Sequence, residues 1–203
     1  MINTIKFAEQ TIAPSKIICI GRNYVEHIKE LGNDIPDDMV VFIKPNSSLT
    51  ETLQSQHQEP LHYEGELCFL YQQGRFTAVA FGLDLTKRQL QSSLKQKGLP
   101  WERAKAFVGS ALFSDFVAFD NLEQLSLSLT INEQLMQQGG VSLMMYKPHD
   151  ILIELQTFLP LQDGDIVMTG TPKGVGKVMP GACFTGRIFE QDKELVRAQW
   201  TAS

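Results

Sequence analysis

Short runs of aliphatic, aromatic and β-branched residues, broken every few positions by glycine, proline, asparagine or aspartate, recur along nearly the whole chain. This spacing restricts the chain to a strand-rich fold. The runs fall at 3–7, 16–20, 40–44, 62–71, 76–85, 115–118, 125–131, 134–138, 165–169, 182–189 and 195–200. Helical spacing interrupts them at three places. "YVEHIKEL" (24–31) is short and amphipathic. "KRQLQSSLKQK" (87–97) has Thr86 placed as an N-cap and Gly98 as its stop. "DILIELQTFL" (150–159) follows Pro148. The polar stretch 48–60 reads as a loop, and Asp163-Gly164 as a turn into "DIVMT". A chain of 203 residues is long enough for one domain with a proper core. The expected architecture is therefore α+β, one strand-rich domain over 1–203 with a few short helices.

The charge balance narrows the partners. A net charge of -5 argues against a general nucleic-acid or anionic-membrane partner. Cys19, Cys68 and Cys183 are scattered, odd in number and set in apolar runs, which fits reduced thiols in a cytoplasmic protein. The segment "MINTIKFAEQ" has no basic region followed by an apolar one, and no apolar run approaches the roughly 20 residues of a membrane span.

Within this pattern "HYEGELCFL" (62–70) is unusual. Strand side chains alternate faces, so His62, Glu64 and Glu66 would share one, in steps of about 7 Å. Two crowded carboxylates either face solvent or share a cation, and carboxylate oxygens are hard ligands suited to Mg²⁺, Mn²⁺ or Ca²⁺. Asp84, at the end of the apolar run "AVAFGLDL", is the candidate third ligand. His62 reads as a packing or outer-sphere histidine. In "GRNYVEHIKEL" (21–31), His27 and Glu30 are spaced i, i+3, either an exposed pair or a histidine whose tautomer a carboxylate fixes for general-base work. Arg22 and Asn23 follow Gly21 at a strand end, where ligand contacts concentrate. Lys105, among Trp101, Ala104, Ala106 and Phe107, is either a solvated helix lysine or one held in a pocket. Arg88 and Gln91 follow Asp84 closely enough to line the same cleft. "MTGTPKGVGKV" (168–178) is not a nucleotide loop, because Thr171 stands where the opening glycine belongs and Val178 where Ser or Thr belongs. A glycine-rich turn there can still direct N–H groups and the Thr171 hydroxyl at a carboxylate.

Taken in order, "CIGRNYVEHIKELGN" (19–33), "FIKP" (42–45), "HYEGEL" (62–67), "GLDLTKRQLQ" (82–91), "KGLPWERAKAF" (97–107) and "LQDGDIVMTGTPKGVG" (161–176) resemble the fumarylacetoacetate hydrolase (FAH) superfamily. The likeness is to its short single-domain branch of acylpyruvase/oxaloacetate decarboxylase and bacterial relatives. The resemblance implies a mixed β-roll fold, a homodimer, and a Mg²⁺ or Mn²⁺ held by Glu64, Glu66 and Asp84. It implies His27 and Glu30 as a lid-helix dyad and Lys105 as the active-site lysine. Arg88, Gln91 and Thr171 would contact substrate, and Lys44 matches a lysine of the same branch and is taken as a further contact. Arg22 and Asn23 join them from their place at the strand end. This chain departs from the family pattern in three places. Gly65 replaces a bulky aliphatic residue, Asn132-Glu133 replaces an Asn-Gly hairpin, and Gly139 to Met144 lacks a usual threonine.

The chemistry so implied is that of 2-oxo and 2,4-dioxo acids, with the cation as Lewis acid for an enolate. His27 would activate water for C–C cleavage of an acylpyruvate or fumarylpyruvate, which is the leading expectation. Oxaloacetate decarboxylation or tautomerisation would use the same electron sink. The alternatives are an isomerase or decarboxylase of oxo-dienedioates from aromatic catabolism, and a non-catalytic 2-oxo-acid-binding dimer.

Overall fold

The computed structural model describes residues 2–203. A mixed sheet forms the centre. Its strands run in the order Val40–Pro45, Lys16–Gly21, Ile166–Met168, Gly65–Gln72, Arg75–Asp84, Ala111–Phe113 and Leu49–Thr50, and Val117–Ala118 also pairs with Arg75–Asp84. Ile166–Met168 lies parallel to Lys16–Gly21, while the long central hairpin of Gly65–Gln72 with Arg75–Asp84 is antiparallel. That hairpin turns through Gln73 and Gly74, both at positive φ, as a tight two-residue loop requires.

A second, four-stranded antiparallel sheet covers one face. Its order is Gln134–Gly140, Leu125–Ile131, Cys183–Glu190 and Lys193–Thr201. Between the sheets pack Leu67, Phe69, Phe81, Leu127, Leu129, Phe184 and Ile188, all essentially inaccessible. The sheets meet so closely that a Cβ on Gly186 would lie 2.2 Å from the Phe81 ring. The opposite face of the central sheet buries Ile17, Cys19, Cys68, Leu70, Ala80 and Met168. Burial on both faces explains why the central strands read as nearly unbroken apolar runs.

Helices α1 (Val25–Glu30), α2 (Arg88–Gln96), α3 (Glu102–Lys105) and α4 (Pro148–Phe158) complete the fold. α4 opens with Pro148 at its first turn. α2 ends as expected, with Gly98 at φ +63 and the Leu99 N–H returning to the Leu94 carbonyl. Its start corrects the sequence reading. Lys87, not Thr86, occupies the N-cap position and gives no side-chain cap. The Thr86 hydroxyl instead accepts from Lys105 Nζ at 2.6 Å. The orphan N–H groups of Gln89 and Leu90 are met from outside the helix, by Glu59 Oε1 at 3.0 and 3.4 Å.

Two further readings change. The run 62–71 is two strands, because His62–Tyr63 pairs with Gly176–Lys177 and the chain breaks at Glu64 before Gly65–Gln72 begins. The stretch 48–60 is not all loop, since Gln56–His57 and Glu59–Pro60 form a tight hairpin and Leu49–Thr50 joins the central sheet. The Asn132-Glu133 connection is a hairpin turn with both residues at positive φ, so a glutamate occupies a conformation that favours glycine. Among the described residues, no helix is long and apolar enough to cross a membrane.

Candidate active site and metal centre

The central hairpin brings the acidic residues together. Gly82 pairs with Glu66, and the Asp84 N–H donates to the Glu64 carbonyl at 2.9 Å. Glu64, Glu66 and Asp84 thereby place carboxylate oxygens within 4.8 Å of one another, and all three are buried.

Three cations balance them unevenly. Lys105, at the end of α3, donates to Glu64 Oε2 (2.9 Å), Asp84 Oδ2 (2.7 Å) and Thr86. Arg88 pairs with the other Glu64 oxygen and donates to Gln91 Oε1 at 2.8 Å. Lys44, wholly buried, lies 2.9 Å from Asp84 Oδ1 and donates to the Lys105 carbonyl. Burial opposes ionisation of Glu64, but Lys105, with Arg88 and His27, outweighs it and holds this carboxyl far below the usual range. Burial would likewise lower Lys105, yet Asp84 and Glu64 hold its ammonium above its ordinary value. Glu66 has no cation of its own. One oxygen accepts the Gly170 N–H at 2.8 Å, and burial, reinforced by Asp84 and Glu64, pushes its carboxyl well above the carboxylate range. Asp84 Oδ1, despite nearby Lys44, has no partner in hydrogen-bonding geometry.

These features fit a divalent cation. The donors are hard oxygens converging from three residues, and one of the carboxylates, Glu66, is strongly disfavoured as an anion. A hard cation would suit the donors and offset the repulsion at Glu66.

A cavity of about 40 Å³ opens onto the carboxylates, room for a few waters or a small ligand group. Arg22, His27, Arg88, Gln91, Lys105 and Thr171 all line it. His27 is buried on α1, with Nδ1 3.2 Å from Glu30 Oε2. The other Glu30 oxygen accepts the Gly174 N–H at 2.9 Å and so ties α1 to the glycine-rich turn. His27 can thus present its second ring nitrogen, oriented from behind, to a ligand. Three residues expected to act at the site are not on the cavity wall: Asn23, Lys44 and Glu30, the last of which reaches it through His27. Asn23 is fully buried, and its amide joins the Tyr146 and Thr169 carbonyls to the Tyr146 N–H, so it braces the backbone behind Arg22. Lys44 lies behind Asp84 as a buried counter-charge. His62 also lies off the cavity wall, its backbone paired with Thr86 and Lys177.

Sequence reasoning missed Gln137. It arrives from the second sheet, is almost inaccessible, and fills the place where a side chain at Gly65 would stand. A Cβ there would meet Gln137 Oε1 and the Phe81 ring, each at 3.0 Å. Gln137 Oε1 accepts the Gly65 N–H at 2.9 Å, and its Nε2 donates to Thr171 Oγ1 and the Pro172 carbonyl at 2.8 Å. Thr171 in turn donates to the Gly65 carbonyl at 2.9 Å. One side chain therefore fixes both the strand between the two glutamates and the turn that supplies Thr171. The one available signal was the glycine itself, since a glycine inside an apolar strand often marks a close approach. Gln137→Ala is expected to cost about 1–3 kcal/mol of stability for the buried groups it leaves unpaired. It should also weaken Mn²⁺ binding, by about 10-fold, the low end of the range for partners that bond a ligand directly, because Gln137 holds the strand between the ligands and touches no ligand side chain. Melting curves and titration calorimetry measure the two, and unchanged Mn²⁺ affinity would leave Gln137 a packing residue.

A strand-rich α+β scaffold enclosing charged side chains, an oriented histidine and a small cavity is the arrangement of an enzyme. The family model for the C-terminal domain of fumarylacetoacetate (FAA) hydrolase matches residues 16–201, and the chain belongs to that family. Oxaloacetate tautomerase YcgM of Escherichia coli (strain K12) is 36% identical, covering 82% of this chain and 85% of that protein. The mitochondrial oxaloacetate tautomerase FMP41 of Saccharomyces cerevisiae is 34% identical, covering 91% and 90%. Among solved structures, fumarylpyruvate hydrolase from Pseudomonas aeruginosa, in complex with Mn²⁺ and pyruvate, superposes with a TM-score of 0.88 at 26% identity, over 99% of this chain and 95% of that one. The strand-rich FAH-type fold expected from the sequence is the fold observed.

Proposed function

We propose that this chain is a Mg²⁺- or Mn²⁺-dependent tautomerase of oxaloacetate, interconverting its keto and enol forms. The observation that carries the reading is His27, buried, backed by Glu30 and on the wall of the same cavity as Glu64, Glu66 and Asp84. In the keto-to-enol direction, the free ring nitrogen of His27 takes a proton from C3. The C3–H electron pair forms the C2–C3 double bond, and the 2-oxo oxygen gains the carbonyl electrons and then a proton. When bound by Glu64, Glu66 and Asp84, a divalent cation would supply Lewis-acid stabilisation for the charge growing on that oxygen. Arg88 and Gln91 offer donors for the substrate's 1-carboxylate. Lys105 donates to both Glu64 and Asp84, favours the charged form of Glu64, and adds positive charge beside the reacting oxygen.

Residue motifs alone favour C–C hydrolysis of acylpyruvates, but two relatives at 36% and 34% identity are named oxaloacetate tautomerases, which supports the tautomerase reading. Hydrolysis remains the second reading, supported by the likeness to a fumarylpyruvate hydrolase. The test is a panel of enol-oxaloacetate, keto-oxaloacetate, fumarylpyruvate and acetylpyruvate with purified protein and Mg²⁺ or Mn²⁺. Accelerated loss of enol absorbance, outpacing cleavage of either acylpyruvate, is the expected result. A cleavage rate above the tautomerisation rate would reverse the order of the two readings.

A further inference from the structure

The cavity has a second charged end that the reaction above does not use. Arg88, Gln91 and Lys95 are spaced i, i+3 and i+7 on α2, so one helix face presents all three. From Arg88, at the carboxylates, to Lys95 the helix rises roughly 10 Å. Lys95 lines the cavity together with Arg22, which follows the Lys16–Gly21 strand at φ +56. Among the described residues neither Arg22 nor Lys95 has a carboxylate partner. Lys95 Nζ donates to Asn33 Oδ1 at 2.5 Å, just beyond α1, and Arg22 makes no ion pair. Burial, reinforced by Arg22 and Arg88, lowers the Lys95 ammonium below its ordinary range. Cations that repel one another beside a cavity, with no protein anion between them, are arranged for an anionic group from elsewhere.

We propose that Lys95, with Arg22, forms the subsite for the distal carboxylate of the substrate, and that this subsite selects dicarboxylic 2-oxo acids over monocarboxylic ones. The inference rests on the 2-oxo-acid reading above. On that reading the proximal carboxylate meets Arg88 and Gln91, the 2-oxo group faces the cation that Glu64, Glu66 and Asp84 would hold, and the remainder of the molecule extends along α2. A distal carboxylate takes the Lys95 ammonium from Asn33, so occupancy of the subsite also reaches the segment that follows α1. Acetylpyruvate, which ends in a methyl group, leaves the subsite without its anion.

The test compares two ligands of equal chain length, 2-oxoglutarate and 2-oxopentanoate, titrated calorimetrically into Mn²⁺-loaded protein. Neither requires turnover, so the result stands apart from the proposed reaction. The wild type is expected to favour 2-oxoglutarate by about 10- to 100-fold, the worth of one charge-assisted hydrogen bond. Lys95→Met should reduce that preference to within about threefold, and Lys95→Arg should restore most of it. In turnover, Lys95→Met should raise KM for oxaloacetate and leave acetylpyruvate nearly unchanged. Lys95 is half-exposed near the end of α2, so these variants are expected to melt as the wild type does. No preference in the wild type, or a preference that survives Lys95→Met, overturns the assignment. A wild type that binds with this preference but turns over neither oxaloacetate nor an acylpyruvate would instead overturn the reaction and leave the subsite.

Discussion

Glu66→Gln is expected to leave the metal-free protein at least as stable as the wild type while removing divalent-cation binding and turnover together. Glu66 is the one carboxylate of the three without a cationic partner, and burial with Asp84 and Glu64 beside it disfavours its charge. A glutamine keeps an oxygen for the Gly170 N–H and ends the repulsion. It also leaves a neutral, weaker donor where a hard cation needs an anion. Loss of an outer-shell partner alone costs about 10–100-fold in metal affinity, so loss of a ligand charge should exceed 100-fold. Asp84→Asn should differ in a telling way. Asp84 lies between the ammonium groups of Lys44 and Lys105, both buried, and neutralising it strands positive charge in the interior. Breaking such a pairing costs about 3–5 kcal/mol, so this variant should lose cation binding and stability alike. Melting curves with and without Mn²⁺ separate the two. At a hundredfold excess over Kd, the cation should add about 2.7 kcal/mol to the wild type and nothing to either variant. Stabilisation of Glu66→Gln by Mn²⁺ to the wild-type extent would remove Glu66 from the ligand set.

The contrast between these glutamates and their surroundings also marks what a sequence can disclose here. Glu64 and Glu66 stand out because their juxtaposition is local, two residues apart in an apolar setting. His27 and Glu30 are legible for the same reason, one helical turn apart. The central strands are legible because burial on both faces forces an apolar composition, and Leu125–Ile131 shows the alternation of a strand with one face buried. What could not be read comes from distant segments. Thr86 has the chemistry of an N-cap, but Lys105, 19 residues later, claims its hydroxyl, and Glu59 caps the helix instead. Ala111–Phe113 is three residues long, and its strand character comes from Gly82 to Asp84 beside it rather than from its own pattern. Gln137 lies 72 residues from Gly65, and nothing near either residue announces the other. The hairpin at Gln56–Pro60 is polar except for Pro60, so apolar periodicity had nothing to detect.

His27→Ala should separate the reactions open to this site. Keto–enol interconversion moves a proton between C3 and the 2-oxo oxygen, and a buried base held by Glu30 is the group placed to carry it. Acylpyruvate cleavage needs the same base for another purpose, because a water without a base is a poor nucleophile toward a ketone. Both rates are therefore expected to fall by about 10²–10⁴-fold, the range a general base contributes. Decarboxylation of oxaloacetate is different. The C3–C4 bond breaks, CO₂ leaves, and its electrons pass to the 2-oxo oxygen with no proton removed by the protein. That reaction should be largely spared in His27→Ala and lost in Glu66→Gln. The measurement is kcat/KM for all three reactions in both variants, at fixed pH and saturating Mg²⁺. A complication comes from Glu30, which joins His27 to the Gly174 N–H, so removing the imidazole could loosen α1 as well as delete a base. The decarboxylation rate controls for this. Loosening of α1 would let water and solvent charge into the cavity and slow every reaction that develops charge on the 2-oxo oxygen. An equal fall in all three rates would therefore assign His27 to closing the cavity, and a fall confined to the two proton-dependent reactions assigns it to the proton.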